Sequence, residues 1–267
     1  MPSFLAADGC RIHYDTFGAG GPRIALIPGL GGDGRFYSGV AERLAPDFRL
    51  VVVDHRGAGR SDRPPGGYSI PGIAADVAGL LSEAGGPAHI VGHSTGGAIA
   101  QELALAHAHV GLSYTISSSW ARSDARFRAL FTARAELLEA DLATAYQRLT
   151  HVFGFEAAQL DADAARLSAA VEAASQTLAP LEVTARRVRM LLDHDRLADL
   201  PGIAAPVQVL AADDDILTPL YLSTAIADAI PGAILVRTPG AHFHPLTSPD
   251  RFADAIKAFV LGLPDAR

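Results

Sequence analysis

The sequence predicts an α/β protein: a mostly parallel central sheet, helices on both faces, and a helical insertion in the middle of the chain. Three observations predict it. Short apolar runs, among them Arg23 to Ile27, Arg49 to Val53 and Val207 to Ala212, alternate with segments of helical apolar spacing, the pattern of a doubly wound sheet. Several of these runs pass directly into glycine-rich or polar loops, where an open parallel sheet binds its ligands. From Trp120 to about Pro201 strand signals vanish, and a segment rich in alanine, leucine, arginine and glutamate follows the 3.6-residue period.

Taken in order, Arg11 to Phe17 alternates as a strand does and ends at the turn Gly18-Ala19-Gly20-Gly21. Arg23 to Ile27 has the continuous apolar character of a strand buried on both faces. It runs into Pro28-Gly29-Leu30-Gly31-Gly32, a loop whose glycines let backbone amides approach a ligand. Phe36 to Leu44 has helical spacing, and Arg49 to Val53 is a second buried strand leading to Asp54-His55-Arg56-Gly57-Ala58-Gly59-Arg60-Ser61-Asp62. Tyr68 to Ala84 reads as a helix. Ala88 to Val91 reads as a strand, Ala98 to Ala108 as a helix, and Val110 to Ile116 as the next strand. Within the helical segment, Phe127, Phe131, Ala135 and Leu138 share one face, as do Val183, Val188, Leu191 and Leu192, with breaks at Gly154 and Pro180 and four or five helices in all. Alternation then resumes with a strand at Val207 to Ala212, a helix at Pro219 to Ile230, a strand at Ile234 to Arg237 and a closing helix at Pro249 to Leu261. The expected division is a core of residues 1–119 and 202–267 and a helical cap of residues 120–201.

Composition narrows the function classes. A chain of 267 residues suits one large domain with an insertion. Its formal charge of −7 argues against a nucleic-acid footprint. The single cysteine, Cys10, cannot form an intramolecular disulfide or a cysteine metal cluster. His107 and His109, two residues apart, do not share a helix face. No signal peptide is visible, and no apolar stretch reaches the ~20 residues of a membrane span. The expectation is a cytoplasmic protein, monomer or homodimer, acting on a small molecule without metal, cofactor, nucleic acid or membrane.

The chemistry is concentrated in Gly92-His93-Ser94-Thr95-Gly96. The spacing G-x-S-x-G between a strand and a helix places a serine on a sharp turn, with its hydroxyl lifted off the sheet and helix-start amides close by. A serine hydroxyl is a weak nucleophile and needs a base, itself oriented by a carboxylate. Candidate partners lie at later strand ends: Asp213, Asp214 and Asp215, then His242 and His244.

These stretches together resemble the α/β-hydrolases over nearly the whole chain. The resemblance rests on Pro28 to Gly32, Asp54 to Ser61, Gly92 to Gly97, Asp215-Ile216-Leu217-Thr218-Pro219, and Gly240-Ala241-His242 leading to Pro249, five motifs in the family's order. It implies Ser94 as nucleophile and Asp215 as the acid, four residues before Pro219, with Asp214 as the alternative. It implies His242, seven residues before Pro249, as the base, and the amides of Leu30 and Thr95 as the oxyanion hole. Relatives mostly carry histidine where this chain has Pro28. The fold's haloalkane dehalogenases and epoxide hydrolases use an aspartate nucleophile, and Ser94 argues against both chemistries.

Within the family, Ile24 to Gly34, Ser119-Trp120-Ala121-Arg122 and Ala211 to Pro231 are similar to the aminoacrylate hydrolases of the Rut pyrimidine-degradation pathway and to the enol-lactonases of the 3-oxoadipate pathway. That similarity implies a small, carboxylate- or carbamate-bearing substrate. Arg122 is the candidate anion partner, ahead of Arg128, Arg186 and Arg187; Trp120 either walls the pocket or anchors the cap, and His244 is a pocket or structural residue. The activity so implied is hydrolysis of an ester, lactone, enamine or carbamate-type bond. The alternatives are a general carboxylesterase, a carbon–carbon meta-cleavage hydrolase, or a triad-bearing small-molecule receptor.

Overall fold

The computed structural model describes residues 2–162 and 164–264. Eight strands form one sheet: β1 (Ser3–Leu5), β2 (Arg11–Phe17), β3 (Arg23–Ile27), β4 (Arg49–Val53), β5 (Ala88–His93), β6 (Gly111–Ser117), β7 (Val207–Ala212) and β8 (Ile234–Thr238). Their order is β1-β2-β4-β3-β5-β6-β7-β8. The β1–β2 and β2–β4 pairs are antiparallel, and every pair from β4 to β8 is parallel. This is the mostly parallel sheet expected from the sequence. The three-residue β1 is an addition; it is too short to show an alternating pattern.

Eleven helices complete the described chain. They are α1 (Ser38–Leu44), α2 (Ile70–Glu83), α3 (Thr95–Ala106), α4 (Ala125–Glu139), α5 (Ala143–Gly154), α6 (Ala157–Ala162), α7 (Ala164–Thr177), α8 (Leu181–Arg189), α9 (Leu220–Ala229), α10 (His244–Thr247) and α11 (Pro249–Leu261). None is long and apolar enough to cross a membrane.

The period-2 geometry of a strand explains the two hydrophobic layers. Along β3, Ile24 and Leu26 join Val40 and Leu44 of α1 and Phe252, Ile256 and Val260 of α11. Ala25 and Ile27 face the other way, into a layer with Ile73 and Val77 of α2, Ile99 and Leu103 of α3, and Leu222 and Ile226 of α9. Both faces of the central strands are therefore dry, which is why those strands read as unbroken apolar runs rather than alternating ones.

The strand order reverses around β3, which lies between β4 and β5. The loops leaving β3 and β5 must diverge there, which opens a crevice at their carboxyl ends. Helices α4 to α8 lie in sequence between β6 and β7, and residues from α4, α5, α7 and α8 wall one side of that crevice.

Candidate active site

At the end of β5 the chain turns into α3 through Ser94, whose backbone sits at φ 54°, ψ −116°. A non-glycine residue with positive φ carries strain of order 1–3 kcal/mol and persists only where its surroundings enforce it. Here they do. The Ser94 N–H donates to the Ser117 carbonyl at 2.8 Å. The Ser94 carbonyl accepts from the Gly97 N–H at 2.9 Å and from the Ser119 hydroxyl at 2.8 Å. The flanking glycines are a steric requirement. A Cβ on Gly92 would strike the Gly96 carbonyl, and one on Gly96 would strike the Ile27 carbonyl at the end of β3.

Ser94 opens into a cavity of about 440 Å³ lined also by Leu30, Thr95, His93 and His242. The β3 loop is fastened over it. Asp54, wholly buried, accepts from the Gly34 N–H at 2.7 Å and from the Arg60 backbone and Nε at 2.9 Å each. Arg56, from the same β4 loop, forks onto Asp76 at 2.6 and 2.7 Å. Most of the Asp54–Ser61 motif is thus a brace for the site rather than part of it.

His242 follows β8 and reaches Asp215, which follows β7, with Nδ1 at 2.7 Å from Oδ2. The Asp215 Oδ1 accepts the N–H groups of Leu217 at 2.9 Å and Thr218 at 2.8 Å, and the Thr218 hydroxyl lies 2.9 Å from Oδ2. Burial pushes the Asp215 carboxyl up. The facing His242 and the Thr218 N–H and hydroxyl pull it down further, and the net shift is below the usual carboxylate value. Asp215 is therefore an anion that fixes Nδ1 of His242 as the protonated nitrogen and leaves Nε2 as the basic one. Asp214 is exposed and meets the site only through its backbone N–H, which donates to the Gly240 carbonyl at 3.0 Å; Asp213 pairs with Arg237 at 2.7 Å.

A serine held in a strained turn, lining the same cavity as an imidazole oriented by a buried carboxylate, is an arrangement suited to nucleophilic acyl transfer. The comparisons with known proteins agree on the family. The sequence model of the alpha/beta hydrolase family matches residues 24–255. The chain belongs to the alpha/beta hydrolase family. It is a hydrolase, and its fold is that of the family.

The protein named "Putative carbamate hydrolase RutD" in Azorhizobium caulinodans is 36% identical over 253 residues, covering 93% of this chain and 94% of its own. A namesake in a Caulobacter species is 34% identical, covering 90% of both chains. The crystal structure of an enol-lactonase from Burkholderia xenovorans has the same fold, with a TM-score of 0.89 at 24% identity over 97% of this chain and all of its own.

Three residues that the sequence offers as candidates for substrate contact are not among those lining the cavity of this hydrolase. Arg122 is exposed and forms a backbone bridge with Asp195. Trp120 is wholly buried with its ring 4.5 Å from that of Phe127 and 5.8 Å from that of His194, where it anchors α4 against the core. His244 is buried among hydroxyls, with Nε2 3.0 Å from the Ser117 hydroxyl and Nδ1 3.2 Å from that of Thr238, so it ties the end of β6 to the end of β8. Of the other arginines considered, Arg128 donates to the Leu192 carbonyl at 2.8 Å and Arg186 to the Pro65 carbonyl. Arg187 does line the cavity, and so does Arg134, which sequence reasoning missed. A signal for both was present. Arg134 falls among Phe127, Phe131, Ala135 and Leu138 on the buried face of α4, and Arg187 falls between Val183 and Val188 on that of α8. An arginine on an apolar helix face needs a reason to be there.

The buried histidines give this hydrolase a pH-dependent stability. Burial lowers both His194 and His244 from 6.5 to about 4, and it lowers His55 and His93 in the same direction. Between those values the unfolded chain binds more protons than the folded one. The contribution of His194 and His244 is then full above pH 6.5, falls as the pH drops through that range, and is lost below about 4. Each of the two contributes of order 3 kcal/mol to the fall. Urea midpoints measured across this range should show the loss, and His194→Gln should flatten its slope.

Proposed function

We propose that this hydrolase cleaves an ester, lactone or carbamate-type bond of a small metabolite by acyl transfer from substrate to Ser94 and then to water. The observation that carries the reading is the 2.7 Å Asp215–His242 pair at the same cavity as the strained Ser94. His242 Nε2 takes the hydroxyl proton as Ser94 Oγ bonds to the carbonyl carbon. The N–H groups of Leu30 and Thr95 receive the oxyanion. The tetrahedral adduct collapses, the leaving group departs with the proton from His242, and an ester to Ser94 remains. Water then loses a proton to His242 as it attacks that ester, and the acid product and free Ser94 are released.

The RutD relatives support a carbamate or a related C–N substrate, and the enol-lactonase neighbour supports the fold's suitability for small substrates. A cavity of about 440 Å³ suits a metabolite of that size.

The test is covalent capture. A fluorophosphonate should add to Ser94 in one-to-one stoichiometry, located by peptide mass spectrometry. Ser94→Ala should not be labelled. Labelling elsewhere, or equal labelling of Ser94→Ala, would remove Ser94 from the nucleophile's role.

A further inference from the structure

The protein is an anion overall, with a formal charge of −7. Its cavity is not. Four arginines line it, Arg35, Arg63, Arg134 and Arg187, against one acid, Asp33. That acid is already held by Arg35 through 2.9 and 3.0 Å contacts from Nε.

Arg187 is the arginine whose state demands an explanation. It is 2% exposed and forms no ion pair among the described residues. Its Nε has no hydrogen-bond partner. Among the described residues its side chain has one hydrogen-bond partner, Nδ1 of His55, 3.5 Å from Nη2. His55 is itself buried and kept neutral by that burial, so it accepts from the guanidinium without cancelling its charge. Burying a guanidinium without a counter-anion costs several kcal/mol, and proteins normally neutralise such a charge with a carboxylate. The cost is severe enough here to depress the Arg187 pKa to about 10.

The position of the charge is equally specific. Gly32 lies in the loop after β3 at φ 68°, and a Cβ there would collide with the Arg187 guanidinium and the Ala58 side chain. Gly57 makes room for the Arg187 stem, since a Cβ there would lie 2.8 Å from Cδ. Arg187 therefore rests on the loop that carries Leu30, two residues from the amide assigned to the oxyanion. Arg134 adds a second buried cation to the wall. It is 3% exposed, sits over the rings of Phe131 and Tyr146, donates to the Thr150 hydroxyl at 2.8 Å, and leaves its Nε without a partner.

We infer that Arg187, with Arg134 in the same cavity wall, is the recognition site for a carboxylate carried by the substrate within a few atoms of the scissile carbonyl. The inference rests on the acyl-transfer reading above and names its substrate class: short-chain monocarboxylate esters, amides or lactones rather than neutral esters. The substrate's carboxylate supplies the counter-charge that the fold withholds, and the fork of a guanidinium fixes its orientation.

The test compares matched pairs that differ by one charge. On the acyl side the pair is monomethyl succinate and methyl butyrate; on the leaving-group side it is acetylglycolate and propyl acetate, with hydrolysis followed by pH-stat. In the wild-type protein the anionic member of at least one pair should have the higher kcat/KM. Arg187→Met should lower that anionic-to-neutral ratio by about 10- to 100-fold, chiefly through KM, as expected for loss of a charge-assisted hydrogen bond. Arg187→Lys should recover part of the ratio, and Arg122→Met, outside the cavity, should keep all of it. Because an unpaired buried charge has been removed, Arg187→Met should melt no lower than wild type.

Hydrolysis that depends on Ser94 but ignores charge in both pairs would overturn the carboxylate site and leave the hydrolase reading standing. So would equal losses on neutral and anionic substrates. Should none of the esters turn over, calorimetric titration of Ser94→Ala with monomethyl and dimethyl succinate decides separately. Tighter binding of the monoester, abolished by Arg187→Met, supports the site, and equal binding overturns it.

Discussion

Ser94→Ala is expected to lower kcat by about a million-fold and Asp215→Asn by about ten-thousand-fold, while Asp214→Asn stays within about twofold of wild type. The first value follows from removing the atom that the proposed mechanism bonds to the substrate. The second follows from hydrogen-bond polarity. The Asp215 carboxylate accepts four hydrogen bonds and donates none: two from backbone N–H groups, one from the Thr218 hydroxyl and one from His242 Nδ1. An asparagine must place an NH₂ group on one of the two oxygen positions. The Leu217 and Thr218 N–H groups hold the carbonyl oxygen at the Oδ1 position, so the NH₂ faces His242. The imidazole then turns its lone pair to Nδ1 and its proton to Nε2, where the proposed mechanism needs a base. Asp214 differs by one residue in sequence but points to solvent. Comparable losses in Asp214→Asn and Asp215→Asn would assign the acid wrongly. Steady-state kcat with the best available ester measures all three, and circular dichroism separates loss of rate from loss of fold.

The adjacency of Asp213, Asp214 and Asp215 shows where reading from sequence stops and geometry takes over. The chain order serine, acid, histidine and the spacing to Pro219 and Pro249 pointed to Asp215 and His242. The three acidic residues remained chemically equivalent until the turn after β7 was seen to bury only one. The sheet was legible for a stronger reason: strands buried on both faces have no polar positions, and glycines are required where two backbones touch.

The substrate end was not legible. Trp120 and Arg122 sit immediately after a strand end, the right place in sequence, but the chain rotates them away from the crevice, one into the core and one into solvent. The two buried cations of the cavity, Arg134 and Arg187, come from the middle and end of helices, where orientation depends on how α4 and α8 pack on each other and on the core. Helical periodicity puts them on the apolar face, yet it does not say which part of that face meets the cavity. His55 shows the same limit. Its place in the β4 loop was visible, but its role as a neutral partner for Arg187 depends on a contact across 132 positions.

The same logic predicts that the two glycines around Ser94 cannot be exchanged even for alanine. Gly92→Ala sets a methyl group against the Gly96 carbonyl and 2.8 Å from the Gly97 nitrogen; Gly96→Ala sets one against the Ile27 carbonyl and 2.7 Å from the Pro28 oxygen. Every atom met is backbone. No side chain can rotate to relieve the clash, so α3 must move off β5 or off the end of β3. Each variant should lose about 4 kcal/mol or more, a fall in Tm of roughly 10 °C for a chain of this size. Gly31→Ala is the matched control in the neighbouring loop. A Cβ there meets nothing within 4 Å and the backbone φ is not positive, so stability should change by no more than about 0.5 kcal/mol. Scanning calorimetry of the three variants checks this. A Gly96→Ala protein that melts with the wild type would mean that α3 can slide without cost. In that case the strain at Ser94 would not be held in place by its neighbours, and the positioning of the Thr95 amide relative to Leu30 would need another cause. If the loss is found, any Gly96→Ala protein that still folds at low temperature should also show a reduced kcat, because the helix displaced from β3 carries Thr95 while the β3 loop carries Leu30, and the two donors can no longer converge on one oxygen.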